Sequence, residues 1–109
     1  MMSTTSTEEL ANPLTKTQID ISEPPMYSVI YINDSQTSMQ FVIGSLVEYF
    51  GYGGMVAESI SEDIHANGSA IVAVLPYEIA EQKGIEVTVD ARSQGYPLQI
   101  KLEEVTAVS

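Results

Sequence analysis

Three polar residues, Asn33, Asp34 and Ser35, close the apolar run "YSVIYI", and the single histidine, His65, stands further on in "EDIHANG". Polar groups beside apolar ones cost free energy unless each finds a partner. These side chains therefore either cap a turn or wait for a ligand. A hydrolytic triad of Ser35, His65 and Asp34 or Asp63 is conceivable from composition, but triads are recognised by geometry. Ser35 also lacks the Gly-x-Ser-x-Gly surround of a nucleophile elbow. A metal site from Asp34, Asp63 and His65 would suit iron or zinc. Asp63 and His65 are two apart on an expected helix and so do not share a face. Neither catalysis nor a bound metal or other cofactor is expected. The stretch "GYGG" is no phosphate loop, because it lacks the following Lys-Ser/Thr and a preceding strand. The chemistry that fits best is acceptance: an Asn carbonyl oxygen, a carboxylate and a neutral imidazole nitrogen all accept hydrogen bonds. An ammonium group has three donors and nothing to accept with. On the residues alone, turn capping by Asn33 and Asp34 and a helix C-terminal position for His65 remain open beside that reading.

The composition limits the partners. With 109 residues the chain is long enough for one domain, and 44% hydrophobic residues are enough to fold it. Fifteen acidic residues against four basic ones, a net charge of −11, argue against nucleic acid and an anionic membrane, both of which need clustered Lys and Arg. A basic partner is the natural complement, although such charge also simply solubilises. Without cysteine there is no disulfide framework and no thiol nucleophile. No apolar run approaches the roughly 20 residues of a membrane span, and the N-terminus has neither a signal nor a transit pattern. The expectation is a cytoplasmic protein of bacterial type.

The elements that must position the polar groups follow from the patterning. Residues 1–25 are rich in Ser, Thr and Pro without a sustained period, which predicts a mobile extension ending at Pro24–Pro25. A folded core is expected over 26–105, with a short tail over 106–109. "YSVIYIND" reads as a strand ending in turn formers. Met39, Val42, Ile43, Leu46, Val47 and Phe50 fall on one helix face, with Thr37 and Gln40 as a capping box. A second helix carries Val56, Ile60 and Ile64 one turn apart and ends at Asn67–Gly68. "SAIVAVL" is a short strand, and Pro76 suits the first turn of a third helix. That helix competes with a strand in "IEVTVD", but the stripe Ala80, Gly84, Val87, Ala91 favours helix. "PLQIKLE" alternates as a half-exposed strand. The expected fold is α+β: β-α-α-β-α-β, a three-stranded antiparallel sheet packed against three helices.

The span "YSVIYINDSQTSMQFVIGSLVEYFGYG…EDIHANGSAIVAVLPYEIAEQKG…YPLQIKLEEV" resembles ClpS, the adaptor family of the Clp protease. The family pattern is a strand ending Asn-Asp-Asp, a turn with Thr and Met, a helix, and a His shortly before Gly. An Ala/Val-rich strand, a Glu-x4-Lys helix and a closing Pro-Leu strand complete it. The resemblance implies a non-enzymatic, monomeric adaptor that binds the N-terminal residue of proteins marked for degradation (an N-degron: Leu, Phe, Tyr or Trp). The adaptor hands them to the N-terminal domain of an AAA+ unfoldase, ClpA or ClpC. Carried over by position, Asn33 and His65 match the ammonium-binding pair, with Asp34 and Ser35 beside them. Met39 matches the methionine that narrows the pocket against β-branched residues. Ile32, Thr37, Val42, Ile64 and Leu98 match wall positions. Glu78 and Lys83 match residues that contact the unfoldase, and the extension matches one needed for delivery.

The chain departs from the family pattern twice. Ser35 stands where the family has a second carboxylate. If that carboxylate pairs with the ammonium, its loss costs about 1.5–3 kcal/mol. Ser61 stands at a wall position where the family often has Met or another apolar residue; it either widens the pocket or faces solvent. These departures keep a second expectation alive: a divergent paralogue that docks on the unfoldase and regulates it with altered or weak N-degron binding.

Overall fold

The computed structural model describes residues 24–106. Most of the expected extension over 1–25 and of the tail over 106–109 lies outside them. The elements run β1 (Met26–Ile32), α1 (Met39–Phe50), α2 (Gly54–Asn67), β2 (Ser69–Pro76), α3 (Tyr77–Ser93) and β3 (Gln99–Glu104). The expected β-α-α-β-α-β fold is the observed one.

β1 is the central strand of a sheet ordered β2-β1-β3, antiparallel to both neighbours. Its odd residues face the helices: Val29 and Tyr31 are fully buried, while Tyr27 packs at the edge of the same core. The β1–β2 register shifts between Val29 and Ile30, leaving Val72 as the extra residue of a bulge. The Val72 carbonyl accepts the Tyr52 hydroxyl instead. α3 lies against all three strands, α2 packs on β2, and α1 touches both other helices. The core between them comprises Val29, Tyr31, Val42, Leu46, Ala57, Ile64, Val72, Ala80, Val87, Ala91 and Leu98. Burying a residue such as Leu46 or Leu98 contributes about 1.5–3 kcal/mol. The exposed Lys101–Glu103 pair, at 3.6 Å, matters far less. A buried hydrogen bond of 2.8 Å joins the Tyr31 hydroxyl to Ser45 Oγ, which itself donates to the Val42 carbonyl at 2.8 Å. It ties β1 to α1 and satisfies both hydroxyls.

The structure corrects several local expectations. The N-cap of α1 is Ser38, whose hydroxyl accepts from the Phe41 N–H at 3.0 Å. Thr37 and Gln40 therefore form no capping box, and the Thr37 hydroxyl turns back to Asp34. Pro76 is the last residue of β2 and the N-cap of α3, one position before the first helical turn. A proline is tolerated there because β2 is an edge strand. The buried stripe of α2 is Ala57, Ser61 and Ile64, whereas Val56 is 50% exposed. Small residues let α2 approach its neighbours closely, which outweighs the size of Val56. The ambiguous segment is α3, and Ala80, Val87 and Ala91 are its buried residues. A Cβ at Gly84 would meet Ile100 Cγ2 at 3.7 Å, so this glycine belongs to the helix face that meets β3.

Candidate functional site

Where β1 ends, the chain must leave the sheet and enter α1 within six residues, 33–38. Asp34 organises that turn. Its Oδ1 accepts from the Gln36 and Thr37 N–H groups at 2.8 and 2.7 Å, and its Oδ2 accepts from the Thr37 hydroxyl at 2.8 Å. This is an Asx-type turn. Burial alone pushes the Asp34 carboxyl up, but the hydrogen bonds from Thr37 and Gln36 outweigh it and hold the group below the usual 3.8.

A second contact closes the site. The Asn33 N–H donates to the Gly68 carbonyl at 2.9 Å, continuing the β1–β2 ladder one step past Ile32–Ser69. Gly68 ends α2 in the left-handed conformation, φ 87°, and its own N–H donates to the Ile64 carbonyl at 2.9 Å. The end of β1 is thereby clamped to the last turn of α2, the turn that carries Ile64 and His65. Residues far apart in sequence meet because a strand end and a helix end share one hydrogen-bonded corner.

The corner encloses a cavity of about 240 Å³ lined by Asn33, Asp34, Ser35, Thr37, Met39, Val42, Ser61, Ile64 and His65. Asn33, Ser35 and His65 are exposed and form its polar side. Val42 and Ile64 are buried and give it an apolar wall, while Met39, the first residue of α1, is 42% exposed. Ser61 is only 3% exposed, which rules out the solvent-facing alternative. Two expected wall residues do not line this cavity. Leu98 is buried in the core behind it, and Ile32 ends β1 half-buried. Glu78 and Lys83 lie elsewhere, on α3, the first exposed and the second half-buried. All nine lining residues are among those that the sequence reading or the family resemblance put forward. What the sequence did not reveal was the Asn33–Gly68 clamp, whose one visible signal was the Asn67–Gly68 helix stop.

The arrangement is an acceptor set over an apolar hole, which suits a ligand with a cationic amine beside an apolar side chain. It does not assemble the alternatives. Asp63 does not line the cavity, and Ser35 Oγ makes no hydrogen bond to His65 among the described residues. Nor do three or more His, Asp or Glu side chains converge there. Among the described residues no helix is long and apolar enough to cross a membrane.

Comparison with known proteins gives a consistent result. The family model for the ATP-dependent Clp protease adaptor protein ClpS matches residues 22–101. The ClpS adapter protein of Clostridium acetobutylicum is 44% identical over 85 residues, covering 78% of this chain and 84% of its own. That of Campylobacter jejuni is 42% identical over 94 residues, covering 84% and 98%. Among solved structures, Agrobacterium tumefaciens ClpS2 bound to L-phenylalaninamide superposes with a TM-score of 0.74 at 31% identity, covering 76% of this chain and all of that one.

Proposed function

This chain belongs to the ClpS family of Clp protease adaptors, a binding protein rather than an enzyme, and from that premise we propose that its cavity captures the N-terminal residue of protein substrates. The observation that carries this reading is the pairing of Asn33 and His65 with the apolar wall of Val42, Ile64 and Met39 in one cavity. L-phenylalaninamide, the ligand of the Agrobacterium relative, has the matching chemistry: a free α-amine, one large apolar side chain, and an amide where a peptide would continue.

In this mechanism the α-ammonium donates to the Asn33 side-chain carbonyl and to an imidazole nitrogen of His65. Asp34 adds negative charge nearby, but its oxygens are already engaged by Gln36 and Thr37. Its part is to hold Asn33 in place. The side chain enters between Met39, Val42 and Ile64, a fit for Leu, Phe, Tyr or Trp, and Met39 narrows the opening against β-branched residues. An internal residue is disfavoured because its amide nitrogen is uncharged and has one donor where an ammonium has three. With one side chain buried, the affinity is of micromolar order. The adaptor, a monomer in a bacterial-type cytoplasm, then delivers its cargo by docking Glu78 and Lys83 on the N-terminal domain of ClpA or ClpC. That second attachment raises the effective concentration of substrate at the unfoldase.

Ser35 favours one alternative, a regulator that docks on the unfoldase but binds N-termini weakly. Fluorescence anisotropy separates the two, using peptides that begin with Leu, Phe, Tyr, Trp, Ile or Met, an N-acetylated Leu control and the His65→Ala variant. The expected result is micromolar binding of the large unbranched residues, weakened at least about tenfold by acetylation and in the variant. If no free N-terminus binds, the docking regulator is the better account.

A further inference from the structure

The buried wall of the cavity contains a hydroxyl that has no hydrogen-bond partner among the described residues. Ser61 lies on the inner face of α2 between Ala57 and Ile64, is 3% exposed, and lines the cavity. Serines in helices usually donate to a carbonyl one turn back; Ser45 does so to Val42 and Ser93 to Asp90. Ser61 Oγ has no such bond, and no other hydrogen-bond partner among the described residues. Another hydroxyl lining the cavity, that of Thr37, is already committed to Asp34 Oδ2. Among the described residues Ser61 is therefore a buried, uncommitted polar side chain on the wall that Val42 and Ile64 make apolar.

An unpaired buried hydroxyl is unfavourable, and water can satisfy it only while the cavity is unfilled. Seating Leu or Phe displaces that water and leaves the hydroxyl orphaned. Seating Tyr or Trp replaces it, because each brings an apolar body ending in an O–H or N–H that seeks a partner when buried. We infer that Ser61 is a specificity-determining residue that biases the cavity toward N-terminal side chains with a polar tip, tyrosine above phenylalanine. This rests on the N-terminal-residue reading of the cavity and adds to it a residue and a direction of preference.

Tyrosine and phenylalanine differ by one oxygen, so paired peptides isolate the effect. Dissociation constants are measured for peptides beginning with Tyr, Phe and Leu, and for N-acetylated Tyr and Phe, on the full chain and on Ser61→Ala. The expected result is that the wild type binds the Tyr peptide about fivefold more tightly than the Phe peptide. In Ser61→Ala the ratio falls to about one, because Tyr loses its partner while Phe and Leu no longer orphan a hydroxyl and bind at least as tightly as to the wild type. A thermal melt followed by circular dichroism reports that the variant is folded. Equal binding of Tyr and Phe by the wild type overturns the inference while leaving the N-degron reading intact, provided acetylation abolishes both. So does a Tyr preference that survives in Ser61→Ala. Absence of binding by every free N-terminus overturns the reading and the inference together.

Discussion

Asp34 is the residue whose two expected roles, turn former and ligand contact, meet in one side chain. A carboxylate lining the candidate cavity invites the role of ligand, and three hydrogen bonds from Gln36 and Thr37 also make it the organiser of a turn. Asp34→Ala is expected to cost about 1 kcal/mol of stability, as loss of a capping side chain does, and to weaken peptide binding because Asn33 loses its support. Paired thermal melts and anisotropy titrations check both effects. The carboxyl is held below 3.8 in the folded state, so the sign of its pH dependence is fixed. The turn's contribution is complete above the ordinary carboxylate value and is lost as pH falls through the lower folded one. Melting temperatures taken from about pH 5 downward should fall more steeply for the wild type than for Asp34→Ala. The sequence left the two roles of Asp34 open because an Asx turn and a ligand carboxylate need the same residue in the same place.

At the scale of elements, the joint between β1 and the C-terminus of α2 decides whether a site exists. Gly68 sits at φ 87°, and a Cβ there would meet nothing within 4 Å. The cost of Gly68→Ala is then purely conformational, about 1–2 kcal/mol for an L-residue in the left-handed region. Gly44 also has open space around it but lies within α1, so Gly44→Ala should stabilise by about 0.4–1 kcal/mol. Urea denaturation of the two variants, with unchanged m-values, should show opposite shifts of the midpoint. Element order and type were legible from periodicity, including α3, where the Ala80–Val87–Ala91 stripe outweighed the alternation of "IEVTVD". The inner face of α2 was not legible. Hydropathy points to Val56 and Ile60, but close packing against β2 and α1 selects Ala57 and Ser61. A scale of side-chain hydrophobicity cannot see that a smaller residue lets two backbones approach.

For the whole molecule, β1 acts as a spacer. The cavity lies past its C-terminal end at Ile32, while Met26 at the other end pairs with Pro76, two residues before Glu78. Seven residues of strand at roughly 3.3 Å each separate the ends by on the order of 20 Å. The proposed ligand cavity and the proposed docking residue Glu78 are then far enough apart to be occupied together. Charge reversal at Glu78 and Lys83 is expected to weaken association with the unfoldase N-terminal domain about tenfold while leaving peptide dissociation constants within about twofold. Surface-plasmon measurements on the unfoldase domain beside peptide anisotropy test this; a parallel loss of both affinities would reject two independent surfaces. The net charge of −11 further predicts that docking, more than peptide capture, weakens with added salt, because exposed charges are screened over about 10 Å at 0.1 M.

By itself the sequence determined the order of strands and helices and the acidic composition, and it marked polar residues at element ends; the family resemblance implied the remaining candidates for the site. Alternation, helical spacing and a few polar residues at element ends are local properties, and nearest neighbours along the chain write them. The tertiary structure decided how those residues are used. The Asn33–Gly68 hydrogen bond brought a strand end to a helix end, Asp34 turned inward to its own loop, Leu98 went to the core rather than the cavity, and Ser61 went to the wall. Each of these depends on which surfaces meet across the fold, where burial and unpaired hydrogen-bonding groups set the free energy, and no window along the chain contains both partners.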